Sequence, residues 1–240
     1  MCLTLALAHG PRLGILATDT RMHRRTVDGE ILASDPGGKL RHIPGGFVAA
    51  TGDATVGFEG LDRLDGLDAR DRDAVQETVV DAYRDTAGDV RRAYADGQPE
   101  ETYWFVLARN PDRPRVYRVR ATGEIHEDPE TNLLLGWPFE DDGDVARHQE
   151  AFLEALREPG SLDDFLQRVA RLFRHVAADD DRVSGTLDLA LVMSEGRGIQ
   201  TEAGPDFTSF WRLQAPAEQV ALARTMISNL LTPAPEKATA

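Results

Sequence analysis

The chain has 240 residues, 41% of them hydrophobic and 28% charged, with a formal net charge of −14. That length supports one large domain or two small ones. The negative charge repels phosphate backbones and anionic lipid, which argues against nucleic acid and membrane surfaces as partners, and no apolar run reaches the length of a membrane span.

Residues 2–9 and 13–19 are apolar runs joined by His9-Gly10-Pro11-Arg12, a hairpin signal with Gly10 and Pro11 in the turn. No basic segment precedes the first run, so it reads as a strand rather than a signal peptide. Residues 20–38 are polar, end in Asp35-Pro36-Gly37-Gly38 and are expected to form a loop. Lys39–Ile43 and Gly46–Thr51 form a second hairpin about Pro44-Gly45. Beyond Gly52-Asp53 the period turns helical, with Val56, Leu61 and Leu64 on one side. A second helix over 73–95 carries Val75, Val79, Tyr83, Ala87, Val90 and Tyr94 at helical spacing.

Tyr103–Ala108 and Arg115–Val119 are strands across the turn at Asn110–Pro114, and a strand over Asn132–Leu135 runs into Gly136-Trp137-Pro138. Helices are expected near 144–157 and over 162–177, where Leu162, Phe165, Val169, Phe173 and Val176 share one stripe. An acidic turn, Asp179–Asp181, leads through Ser184-Gly185 to a strand at Leu187–Val192. Residues 216–231 read as a helix, and the tail from Thr232, with Pro233 and Pro235, as disordered. There is no internal repeat and no linker. Strands, paired helices, strands, paired helices and strands in succession imply a single α+β domain over 1–232, with antiparallel sheets covered by helices and a tail over 233–240.

Cys2 is the single cysteine, directly behind Met1. One cysteine makes no internal disulfide, which fits a reducing cytoplasm. Removal of Met1 leaves a thiol and a free α-amine on one residue. The amine takes the proton that the thiol must lose, a complete nucleophile-plus-base unit. A lone cysteine is otherwise a small buried hydrophobe; position 2, in a chain with no other cysteine, favours the nucleophile. Lys39 is conspicuous for a second reason. Only two of the 27 basic residues are lysines, and the other, Lys237, lies in the tail. Lysine is a compact ammonium whose pKa shifts on burial and which can join proton traffic, whereas arginine stays charged. The six histidines show no metal-ligand spacing, and Asp141-Asp142 and Asp179–Asp181 read as solvated loops, so no metal or other cofactor is expected.

Five pieces stand in order along the chain: Cys2; Asp19-Thr20-Arg21 closing the first hairpin; Lys39 opening the next strand; Ala50-Thr51-Gly52-Asp53-Ala54 turning into a helix; and Asp181-Arg182-Val183-Ser184-Gly185 before a strand. Singly, Asp19 and Arg21 read as a surface ion pair, Asp181 as a loop acid and Gly52 as a helix-entry glycine. Jointly, over residues 2–195, they resemble the proteasome-type N-terminal-nucleophile (Ntn) hydrolases, a group with proteasome β subunits, the bacterial two-component proteasome-like protease and Anbu. The resemblance implies a four-layer αββα sandwich of two antiparallel sheets between helix layers. It also implies a catalytic set of Cys2, Asp19, Lys39, Gly52, Asp181 and Ser184. In that set Asp19 holds Lys39 in place and charged, the Lys39 ammonium lowers the thiol pKa, and the Gly52 N–H meets a developing oxyanion. Asp181 and Ser184 orient the α-amine.

The chain departs from the family at two places. Cys2 stands where proteasome-type enzymes usually carry threonine. Gly136-Trp137-Pro138 stands where the family has a serine in a Gly-Ser-Gly-like turn. The implied function is amide-bond hydrolysis, peptidase-like, through a thioester on Cys2, by a cytoplasmic homo-oligomer (ring or helix), with any ATP-dependent unfoldase partner left open. Three alternatives stand beside it. One is a small-molecule amidase, since bile-salt and penicillin V acylases also begin Met-Cys, although their Arg-Asn-x-Asp-Trp-like segment is not found here. The others are a ligase or transpeptidase, and a non-catalytic assembly protein of the same fold.

Overall fold

The computed structural model describes residues 3–9, 13–25, 31–34, 38–93, 101–128, 133–136, 162–184, 186–193 and 207–213. The first hairpin forms as expected: β1 (Thr4–His9) pairs antiparallel with β2 (Leu13–Asp19), Thr4 opposite Thr18. Residues expected as loop instead hold a second hairpin, β3 (Met22–Arg25) with β4 (Ile31–Ser34). This pair is a two-stranded sheet of its own. Its strands have four residues each, too few to establish a period in the sequence.

Then come β5 (Leu40–Ile43) and β6 (Gly46–Thr51), joined through Gly45 at φ +72°. The helix α1 spans Ala54–Arg63, with Asp53 as N-cap accepting the Val56 amide at 3.0 Å. The longer α2 spans Arg72–Ala93 and is opened by Asp71, whose carboxylate accepts the Ala74 amide at 3.1 Å. Next are β7 (Tyr103–Ala108), β8 (Arg115–Arg120), a two-residue β9 (Ile125–His126) and β10 (Leu133–Gly136). The helix α3 (Leu162–Asp179) precedes β11 (Leu187–Met193) and β12 (Phe207–Leu213). Sequence periodicity missed β9, which is too short to show a period, and β12, whose Phe207-Thr-Ser-Phe-Trp run does not alternate. The helices expected at 144–157 and 216–231, the Gly10-Pro11 turn and the tail lie outside the described residues.

Two five-stranded antiparallel sheets result, in the orders β10-β1-β2-β11-β12 and β5-β6-β7-β8-β9. Three buried clusters set the layers. Between the sheets, Ala6, Ala8, Leu16 and Ala190 of the first face Phe47, Phe105, Leu107 and Val116 of the second. The small residues of one sheet thus receive the large residues of the other. The first sheet's outer face, with Leu5, Ile15 and Leu189, packs on Val169, Phe173 and Val176 of α3. The second sheet's outer face, with Val48, Trp104 and Val119, packs on α1 and α2 through Val56, Leu61, Val75 and Val79. Helix, sheet, sheet and helix stack in that order, the αββα sandwich expected from the sequence.

Strands buried on both faces explain the near-continuous apolar runs of β1, β2, β6 and β7. Helix α1 comes close to its sheet because Gly60 has no side chain: a Cβ there would lie 2.5 Å from the Trp104 ring. Trp104 is fully buried and donates its indole N–H to the Gly57 carbonyl at 3.2 Å.

Candidate active site

The Asp19 carboxylate joins both sheets and the loop before β11. It sits at the end of β2, fully buried, and accepts four hydrogen bonds. Oδ1 takes the Leu3 amide at 3.0 Å and the Lys39 ammonium at 3.0 Å. Oδ2 takes the Arg21 amide at 3.0 Å and the Ser184 amide at 3.2 Å. The Asp19 amide in turn donates to the Leu3 carbonyl at 2.9 Å. One side chain therefore ties the start of β1, the turn after β2, the residue before β5 and the loop before β11.

Lys39 is 4% exposed, and its ammonium also donates to the Arg21 carbonyl. Burial raises the Asp19 pKa above the ordinary aspartate value, while Lys39 and the backbone donors oppose that rise. An acid and an ammonium are thus held dry and in contact beside Leu3, at the start of β1.

Ser184 is 3% exposed, and its hydroxyl oxygen is placed from two sides. It accepts the Thr186 amide at 3.0 Å and lies 3.3 Å from the Thr20 hydroxyl, which donates to it. Asp181 is different. Its side chain is exposed, and Arg21 bonds its backbone carbonyl. The Asp19 carboxylate contacts both Lys39 and Ser184 directly, while Asp181 meets Arg21 through its backbone carbonyl.

Gly52 lies between β6 and α1 at φ +107°, a conformation glycine adopts without strain. A Cβ there would lie 2.1 Å from the Glu101 carbonyl oxygen. The next amide, of Asp53, is already bound to the Thr102 hydroxyl at 3.0 Å. The Gly52 N–H has no hydrogen-bond acceptor among the described residues. Cys2 lies outside the described residues; Leu3, the residue that follows it, is placed. Of the segment Gly136-Trp137-Pro138, only Gly136 is described. It pairs with Thr4, and a Cβ on it would lie 2.9 Å from the Phe105 ring.

Sequence reasoning missed several participants. Thr20 and the Arg21 carbonyl sit inside a triplet that was read only for its charges. Asp188 is fully buried on β11, in register with Thr18, and accepts the Gly38 amide at 3.4 Å. A lone carboxylate inside the apolar run Leu187–Val192 was the signal that could have found it.

No family model and no curated protein matches the sequence. Solved structures do match. Anbu, an ancestral β-subunit, from Yersinia bercovieri superposes with a TM-score of 0.63 at 12% identity, covering 98% of this chain and 99% of that one. Anbu from Hyphomicrobium sp. strain MC1 gives 0.59 at 14% identity, over 98% and 100%. Eukaryotic HslV from Trypanosoma brucei gives 0.53 at 10% identity, over 79% of this chain and 98% of its own. At these identities the likeness is one of fold: the chain has the α+β Ntn-hydrolase fold of the Anbu and HslV structures.

Proposed function

We propose that the chain hydrolyses amide bonds, with a peptide as the substrate class, through Cys2 once Met1 is removed. The observation that carries this reading is the Asp19 junction. Its Oδ1 holds the Leu3 amide, directly after Cys2, and the buried Lys39 ammonium together. In the proposed reaction the α-amine of Cys2 takes the thiol proton, and the sulfur attacks the substrate carbonyl carbon. The Gly52 N–H donates to the oxyanion. The carbon–nitrogen bond then breaks, and the leaving amine takes the proton from the α-ammonium. A thioester remains. Water, deprotonated by the same amine, attacks it, releases the carboxylic acid and restores the thiol. Ser184 orients the amine, and Asp19 keeps Lys39 charged. Losing one oxyanion donor typically costs a rate factor of about a hundred to a thousand.

Assembly into a homo-oligomer belongs to the same proposal, supported by the fold shared with a protein described as an ancestral β-subunit. The test is intact mass of the purified chain, followed by an electrophilic peptide amide as a labelling probe. Loss of one methionine and a single adduct on Cys2, absent from the Lys39→Met variant, is the expected result. Retained Met1, or labelling equal in native and urea-unfolded protein, sinks the reading.

A further inference from the structure

Several half-buried arginines elsewhere in the molecule face carboxylates. Arg41 meets Asp62, Arg63 meets Glu59 and Asp85, Arg72 meets Glu127, Arg120 meets Glu101 and Glu124, and Arg182 meets Asp180. Arg118 is half-buried as well, yet no carboxylate among the described residues reaches it. Its guanidinium is held by rings instead, 4.8 Å from the centroid of Tyr103 and 5.9 Å from that of Phe105. Burial lowers its pKa from the ordinary arginine value, with Tyr103 opposing. A guanidinium stacked on aromatic faces keeps its in-plane N–H groups free to fork onto a carboxylate. In a chain of net charge −14, a half-buried cation that meets no acid among the described residues is a specific arrangement.

Its position relates it to the candidate active site. Residue parity puts Arg118 on the same face of β8 as Val116, which packs between the sheets. Arg118, Phe105, Ala49 and Leu40 form one row across β8, β7, β6 and β5. Leu40 follows Lys39. The Phe105 ring also approaches Gly136, which pairs with Thr4 near the start of β1. Three strand spacings separate β8 from β5, about 14 Å at about 4.8 Å each, or roughly four residues of extended peptide.

We propose that Arg118 is a carboxylate-binding subsite that selects substrates bearing an acidic group about four residues from the scissile amide. The group is a glutamate or aspartate side chain or a peptide C-terminus. The word "substrate" rests on the amide-hydrolase reading; the subsite does not.

The test is calorimetric titration of the Cys2→Ala chain, which turns nothing over, with acetylated hexapeptides at fixed ionic strength. The set carries Glu or Gln at each successive position, with a free or an amidated C-terminus. One carboxylate peptide is expected to bind at least tenfold more tightly than its neutral twin. Arg118→Met should bring that ratio to about one, and Arg118→Lys, which keeps charge but not the planar fork, should reduce it only in part. The Glu/Gln and free/amidated arms identify which carboxylate is read. Equal affinity across every pair, a preference that survives Arg118→Met in folded protein, or no peptide binding at all overturns the proposal. Carboxylate selectivity alongside a Cys2 that takes no probe leaves the subsite standing and removes the hydrolase reading alone.

Discussion

Three Asp-x-Arg triplets in this chain make the same local turn and reach opposite electrostatic states. In Asp19-Thr20-Arg21, Asp68-Ala69-Arg70 and Asp180-Asp181-Arg182, the aspartate accepts the amide of the arginine two residues on, at 3.0, 2.9 and 2.9 Å. At Asp68 and Asp180 the guanidinium then folds back onto both oxygens of its own carboxylate. The Arg70 bonds lower the Asp68 pKa; at Asp180 burial pushes upward, but the Arg182 bonds outweigh it and the pKa is lowered. At Asp19 the arginine turns away to the Asp181 carbonyl, Lys39 takes the carboxylate, and burial leaves the pKa raised. The turn recurs at these three triplets, whereas Asp89-Val90-Arg91 runs on within α2. The chemistry is a property of what the fold carries to each turn.

Breaking the buried junction should have the largest effect. Asp19→Asn leaves the Lys39 ammonium buried without its counter-charge, which typically costs about 3–5 kcal/mol. Urea unfolding should show that loss, and probe labelling at Cys2 should fall with it. Asp19→Asn combined with Lys39→Met removes both charges and should recover part of the stability. A double variant no better than Asp19→Asn would mean the pair is not coupled.

The next effect is one of pH. In Lys39→Met, Asp19 loses its main opposing charge, so its pKa rises further above the ordinary aspartate value. A carboxyl whose folded pKa exceeds its unfolded one stabilises the fold in acid and loses that contribution as pH rises through the folded value. The deficit of Lys39→Met against the parent should therefore be smallest below about pH 4, where aspartate is protonated in the unfolded chain, and grow toward neutrality. A deficit that is flat with pH would mean that Asp19 is not the group left exposed to burial.

These contrasts also show what could be read before folding. Strand pairs β1–β2, β5–β6 and β7–β8 and the helices α1 to α3 were legible because their apolar periods answer to a core. The β3–β4 hairpin, with strands of four residues each, is too short to show a period and was not legible. Asp19 and Lys39 were legible as singular residues, one in an ordered motif and the other a lysine among arginines. Their contact was not, since 20 residues and a change of sheet separate them. Thr20, Asp188 and Arg118 acquire meaning only from neighbours that the fold supplies: a serine hydroxyl, a glycine amide and two aromatic rings. Asp181 shows the converse, since a residue chosen for its carboxylate meets Arg21 through its carbonyl.

Asp180→Asn tests the intermediate case. The carboxylate is 5% exposed and its arginine 38% exposed, so the bonds are partly screened. A loss of about 1–2 kcal/mol is expected for a charge-assisted pair of this kind. Probe labelling should be kept, because the Lys39 ammonium and the Ser184 amide are held by the Asp19 carboxylate. A loss as large as that of Asp19→Asn would mean that the Asp180 turn holds the Ser184 loop in place, and would merge two of the three cases.

The smallest effect should come from Asp68→Asn, and it is the sharpest control. The turn is the same and the guanidinium bonds are as short, but the side chains are 35% and 48% exposed. Water and salt screen such a pair, and exposed ion pairs contribute about 0–1 kcal/mol. The lowered Asp68 pKa gives a stability term that is present above the ordinary carboxylate range and lost as pH falls through the folded value. Any difference between Asp68→Asn and its parent should thus appear near neutrality, fade in acid and shrink as salt is added. A deficit rivalling that of Asp19→Asn would show that the bonds within the triplet, rather than the dry junction with Lys39, set the energetic scale. The distinction between a surface turn and a buried site would then fail.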